Sequence, residues 1–283
     1  MEKIVKVLGD LTGSTGVLPS FLADAFIEEP KFFAAVVGQS DLTVEILDVL
    51  CDMCGFSVQD AIRVFGSYTP ELLTTTGPDV TRRLEAIIDA GIQPGRLLGR
   101  VVRRCPGILF AADPSVMTDT IVNLNNFFAR SHIVKILLRS PEVVLRNFDE
   151  TEAKYEYIYY QMGIQPEEFV DCTFWSTASL QDIMDRHTFL LKTGKYTLPD
   201  PKRPQIKMEN PPLYRILDSR DNIFATQVAK VTPDEWTLYR ELSVKLTTLE
   251  DKDRPFERIK PSMRKAYERR LKEAPEKEAF VFE

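Results

Sequence analysis

The chain has 283 residues, an apolar fraction of 44% and a formal net charge of −6. That length can bury a sizeable core, but so acidic a chain does not coat nucleic acid with its whole surface, so any anion-binding site must be local. No uncharged apolar run reaches the roughly 20 residues a bilayer span needs, and four cysteines without a framework (Cys51, Cys54, Cys105, Cys172) point to a reducing compartment without disulfides.

Along the chain, residues 1–15 (MEKIVKVLGDLTGST) read as an N-terminal helix with neither a secretory apolar region nor an Arg-rich, acid-poor transit character. The chain is therefore cytosolic, or a presequence has been removed. From 16 to 200 one pattern recurs: glycine, an apolar helix, proline, then two apolar residues. It reads GVLPSFLADAFIEEPKFF from Gly16, GFSVQDAIRVFGSYTPELL from Gly55, GIQPGRLLGRVVRRCPGIL from Gly91 and NFFARSHIVKILLRSPEVV from Asn126, with a decayed copy, GIQPEEFVDCTFW, from Gly163. The later prolines, Pro30, Pro70, Pro106 and Pro141, stand 40, 36 and 35 residues apart, a repeat period. Eight residues before them lie Leu22, Ile62, Leu98 and Ile133, expected to face a common core with Phe32/Phe33, Leu72/Leu73, Ile108/Leu109 and Val143/Val144.

Each proline should end one helix and start a short helical turn, because it removes an interior hydrogen bond. Second helices are expected from Gly77-Pro78-Asp79, Asp113-Pro114-Ser115 and Asp149-Glu150-Thr151-Glu152, running to Gly91, Asn126, Gly163 and Gly194, residues that tolerate a left-handed backbone. Strand signals are missing. The fold class is all-α, a solenoid of repeats of about 35 residues. Residues 201–250 read as a C-terminal helical cap and docking segment, and 251–283 as a basic helical or flexible tail.

Charge changes sign along this array. Residues 1–95 carry 6 Lys/Arg against 14 Asp/Glu, 96–148 carry 8 against 3, and 149–200 carry 4 against 10. At 100° per residue Arg96, Arg100, Arg103 and Arg104 share one helix face, away from Leu98, Val101 and Val102. Lys135 and Arg139 stand as far before Pro141 as Arg100 and Arg104 stand before Pro106, so stacked repeats should juxtapose them. No Asp or Glu lies between Arg96 and Phe110 to neutralise this face, so its four arginines repel one another unless an anion lies across them, and it reads as a nucleic-acid contact or as a solvated helix face. A second basic run, 254–272, reads equally as an RNA contact, a solvated terminal helix or a lipid-surface helix.

In the cap, Pro211, Pro212, Leu213, Ile216, Leu217, Trp236 and Tyr239 are anchor-type residues, equally able to cap the array and to bind a partner. Tyr155, Tyr157, Tyr159 and Tyr160 could stack on bases, but Tyr155, Ile158 and Met162 follow a buried stripe. Cys51 and Cys54 have zinc-like spacing without a second pair, and neither His132 nor His187 adjoins a nucleophile motif. No phosphate loop, GxSxG or HExxH occurs. No catalytic residue, metal or cofactor is expected, and the chain reads as a scaffold rather than an enzyme.

The repeat, above all GRLLGRVVRRCPGIL and HIVKILLRSPEVVL, resembles that of the mitochondrial transcription termination factor (mTERF) family. KYEYIYYQMGI (154–164), RHTFLLKTGKYTLPD (186–200), NPPLYRILD (210–218) and TPDEWTLYRELSVKL (232–246) are most similar to the fourth branch of that family. The resemblance implies a curved α-solenoid of mTERF-type repeats in the mitochondrial matrix, binding mitochondrial rRNA. It also implies delivery of a Sun-domain mitochondrial rRNA cytosine-5 methyltransferase to the mitochondrial large ribosomal subunit, without a membrane contact. Where vertebrate members of that branch carry a long acidic tail, this chain has RPFERIKPSMRKAYERRLKEAP. The alternatives are a duplex-DNA-binding transcription regulator or termination factor using the same basic face, and a pure protein-interaction solenoid.

Overall fold

The computed structural model describes residues 24, 27–198, 200, 209–249 and 261–273. The N-terminal helix expected at 1–15, the start of the Gly16 copy with Leu22, and most of the tail lie outside them. The chain forms two compact units, with the boundary between Leu145 and Arg146. Every regular element among the described residues is helical.

The N-terminal unit contains α1 (Pro30–Gly38), α2 (Ser40–Cys54), α3 (Val58–Ser67), α4 (Thr69–Leu72), α5 (Gly77–Asp89) and α6 (Arg96–Arg104). A 3-10 turn (Pro106–Leu109), α7 (Pro114–Leu124), α8 (Arg130–Arg139) and a second 3-10 turn (Pro141–Leu145) complete it. The late prolines act as expected: Pro106 and Pro141 open the 3-10 turns and Pro70 opens α4, while Pro30 starts the longer α1. Second helices α2, α5 and α7 pack in sequence, and first helices α6 and α8 pack on each other, as do the two 3-10 turns. Ile62, Leu98, Ile133, Phe32, Leu72, Ile108, Leu109, Val143 and Val144 are at most 1% exposed, so equivalent positions of each repeat fill one core. Leu73 is only half-buried.

Helix starts follow side-chain chemistry. The Asp113 carboxylate accepts from the Ser115 amide at 2.8 Å to open α7, Thr76 accepts from the Asp79 amide to open α5, and Asn147 accepts from the Asp149 amide at 2.7 Å. Two of these caps precede the residues expected from sequence. At the helix ends, Gly91, Gly163 and Gly194 take the left-handed conformation with φ of 110°, 74° and 67°. Asn126 does not. Overlapping turns, in which Asn125, Asn126 and Phe127 donate to Val122, Asn123 and Leu124, carry the chain out of α7 with ordinary φ.

The C-terminal unit contains α9 (Phe148–Glu156), which widens into a π-helical turn at Tyr157–Gln161, followed by α10 (Pro166–Phe169), α11 (Leu180–Lys192) and α12 (Leu213–Leu217). Then come α13 (Asp221–Ile223), widening into a second π-helical turn at Phe224–Ala229, α14 (Pro233–Leu249) and α15 (Pro261–Glu273). The decayed repeat keeps the proline three residues after its glycine, Pro166, but its first helix is cut to a single turn, α10, and no later proline stands between it and α11. Trp175 and Phe169 pack edge to face at 5.2 Å, and Trp236, Phe224 and Phe189 form a second aromatic centre. Both tryptophans are at most 2% exposed. Asp218 ties the segment together by accepting from the Thr173 and Phe174 amides at 2.9 Å, and Arg186 donates to the Ile216 and Ser219 carbonyls at the end of α12.

Candidate nucleic-acid interface

Helix α6 is the most two-sided helix among the described residues. Leu98, Val101 and Val102 are fully buried, whereas Arg96, Arg100, Arg103 and Arg104 are exposed. Arg103 and Arg104 stand in its last turn, where cations oppose the partial negative charge of the free carbonyls. On α8, Ile133, Ile136 and Leu137 are buried while Lys135 and Arg139 are exposed. Since α6 packs on α8, the sequence-predicted cations share one two-helix surface. Arg96, Arg100, Arg104 and Lys135 have no acidic partner among the described residues.

Arg103 differs from them. Its guanidinium pairs with Asp60 of α3 at 3.0 Å and lies 4.5 Å from the Phe56 ring centroid. The acid absent from α6 itself is thus supplied by the preceding repeat, so Arg103 is partly neutralised and held in place. The stacking logic that pairs Arg100 with Lys135 also brings α3 beside α6, and a search for acids 35 to 45 residues upstream would have found Asp60. Arg130, counted in the basic island, donates to the Asp89 carbonyl at 2.9 Å, capping the end of α5 and not lying idle.

The expected docking residues lie mostly inside the C-terminal unit. Leu213 and Ile216 are fully buried, Trp236 is 2% and Leu217 7% exposed. Pro211, Pro212 and Tyr239 are half-buried, Tyr239 stacking on Trp236 with centroids 5.8 Å apart. The anchor-type side chains are thus used on the unit's own core. The apolar side chains left at the surface nearby include Tyr214, Ile223, Leu238, Leu242 and Val244, with Leu238 and Leu242 one turn apart on α14 and 68% and 49% exposed.

The tyrosines of α9 and its π turn are also packed: Tyr155 stacks on Tyr159 at 5.5 Å, and the Tyr157 hydroxyl meets His187 Nδ1 at 2.8 Å. Burial lowers the His187 pKa to about 4 and pushes the Cys54 thiol up to about 12. Among the described residues no group of three or more His, Cys, Asp or Glu is placed to hold a metal ion, and no helix is long and apolar enough to cross a membrane.

The chain is similar to known proteins over most of its length. A mouse (Mus musculus) protein, transcription termination factor 4, mitochondrial, is 28% identical over 176 residues, which make up 61% of this chain and 49% of the relative. The match spans about half the length of that curated relative. A family model described as mTERF covers residues 1–225, taking in the whole repeat array and the first elements of the cap, and the chain belongs to the mTERF family.

Proposed function

We propose that this chain is a mitochondrial nucleic-acid-binding adaptor whose α6/α8 surface holds rRNA of the large ribosomal subunit in the matrix. Its C-terminal unit brings an rRNA cytosine-5 methyltransferase to that RNA. The observation that carries the reading is the pair of adjacent helices presenting Arg96, Arg100, Arg104 and Lys135 without acidic partners among the described residues. Cations left unpaired on one surface attract a polyanion and release its counterions on binding. The methyltransferase rests on the sequence resemblance, supported by the exposed Leu238/Leu242 pair. A second reading, duplex-DNA binding in transcription termination, is favoured by the name of the mouse relative and uses the same strip.

One experiment with two variants separates these readings. Arg100→Glu with Lys135→Glu alters register-equivalent exposed cations, so the fold should melt within a degree or two of wild type. Its binding to structured rRNA should fall sharply, with the slope of log affinity against log salt shallower by about 1.4 for single strands. Leu238→Glu with Leu242→Glu should keep RNA affinity and lose the methyltransferase on pull-down from mitochondrial extract. If duplex DNA outcompetes rRNA for the wild-type chain across the salt series, the transcription reading stands instead. An unchanged slope in the first variant removes the strip from both.

A further inference from the structure

A cavity of about 220 Å³ lies inside the N-terminal unit, where the ends of α5 and α7 meet the start of α8. Its floor is apolar: Ala86, Ile121 and Ile133 are buried, and Val122 stands exposed at the rim. Around its mouth are Asp89, Asn125 and Arg130, all exposed. The cavity side of α8 is not the side of the strip, because at 100° per residue Arg130 and Ile133 lie about 120° or more from Lys135 and Arg139.

The polar groups at the mouth are only partly used. Arg130 donates to the Asp89 carbonyl at 2.9 Å, which leaves further guanidinium donors. Asn125 Nδ2 donates to the Ile121 and Val122 carbonyls at 3.0 and 3.2 Å, so its Oδ1 is left as an acceptor. The Asp89 carboxylate closes no ion pair with Arg130, and it has no other side-chain partner among the described residues. Such a mouth opposes simple ions, since a small anion meets Asp89 and a small cation meets Arg130. The space is also below the roughly 300 Å³ at which pockets for drug-sized ligands begin. It suits one flat, neutral ring system with apolar faces for Ile121 and Ile133, donors on one edge and acceptors on another. Among the nucleobases, guanine alone sets two adjacent donors, N1–H and the 2-amino group, against a carboxylate, while its O6 and N7 accept from arginine. Adenine turns a bare N1 toward the carboxylate, which repels it.

We infer that this cavity is a guanine-binding site, in which Asp89 and Asn125 accept from the N1–H and 2-amino edge and Arg130 donates to O6 and N7. The base belongs either to a free nucleoside or nucleotide or to an unpaired position in RNA. The site is separate from the α6/α8 strip and does not rest on it.

The test titrates the full chain with guanosine, inosine, adenosine and xanthosine, and with the RNA pentamers UUGUU and UUAUU. Guanosine should bind about tenfold more tightly than adenosine or than inosine, which lacks the 2-amino group. Asp89→Asn keeps the shape of the side chain, so its melting should match wild type. It should bind guanosine about tenfold more weakly and gain affinity for xanthosine, whose 2-oxo group accepts from the new amide, a gain that a merely structural role for Asp89 does not produce. A preference for UUGUU that Asp89→Asn abolishes identifies RNA as the source of the base. Equal binding of the two pentamers beside a clear guanosine preference identifies the free nucleoside or nucleotide. A wild-type chain that prefers guanine in neither form, or a preference that survives Asp89→Asn, overturns the proposal. Guanosine binding should persist in Arg100→Glu with Lys135→Glu, so the strip can fail its own test while this site stands.

Discussion

His187 shows what a single buried group contributes. It is 2% exposed, its Nδ1 meets the Tyr157 hydroxyl, and its ring lies edge-on to Tyr196 at 4.8 Å. Desolvation lowers its pKa from 6.5 to about 4, so the folded protein holds it neutral where the unfolded chain would protonate it. Stability should therefore be constant above pH 6.5 and fall as pH drops toward about 4, by about 3 kcal/mol in all. Carboxylates with lowered pKa, such as Asp113 and Glu235, which accept hydrogen bonds from Ser115 and Thr232, lose their contribution further into acid. Comparing melting temperatures of wild type and His187→Gln across pH removes those shared effects. The difference between the two proteins should change between pH 6.5 and 4, and parallel curves would mean that His187 is not the group responsible.

At the scale of elements, α6 depends on one close approach. A Cβ on Gly99 would collide with the Cys54 carbonyl oxygen and stand 2.8 Å from a ring carbon of Phe56. Alanine is favoured over glycine in a helix interior by roughly 1 kcal/mol, whereas overpacking against backbone costs roughly 1 to 3 kcal/mol. Gly99→Ala should therefore lower the melting temperature despite its better helix propensity. It should also weaken RNA binding by moving the helix that carries Arg96, Arg100 and Arg104. A variant more stable than wild type would show that α6 does not sit so close to the end of α2.

The same elements show why some features were legible in sequence and others were not. The repeat, its prolines and the buried sides of α6 and α8 are local signals, fixed by the missing proline amide and by 3.6-residue periodicity. The Arg103–Asp60 pair spans 43 residues, Asp218 reaches Thr173 across 45, and Arg240 reaches Asp182 across 58; no window of sequence contains such contacts. Trp236 and Leu213 illustrate the cost: composition marks them as anchor-type residues, but only the folding of α12 and α14 back onto α11 decides that they anchor their own unit. Asn126 failed for a smaller reason. An asparagine can adopt positive φ, but successive i to i+3 turns had already turned the chain.

For the whole molecule, a basic strip on a chain of net charge −6 sets two electrostatic effects against each other. The strip acts at contact distance, while the surplus of acids, concentrated at 14 Asp/Glu against 6 Lys/Arg in residues 1–95, repels a polyanion at longer range. The Debye length is about 10 Å at 0.1 M salt and about 30 Å at 0.01 M, so salt removes the repulsion first. Above about 0.1 M, the strip should make affinity for RNA fall with a log–log slope near −2.8, from Arg96, Arg100, Arg104 and Lys135 at roughly 0.7 each, with Arg103 discounted for its pairing to Asp60. Toward 0.01 M the plot should flatten, because the unscreened acids then oppose approach. Glu71, Glu85 and Asp119 are exposed on α4, α5 and α7, helices other than those that carry the strip. Converting them to Gln, Gln and Asn should restore linearity at low salt and leave the slope above about 0.1 M unchanged. A plot for wild type that is straight over the whole range, or a triple variant with an altered high-salt slope, would mean that strip and surplus charge do not act as separate terms.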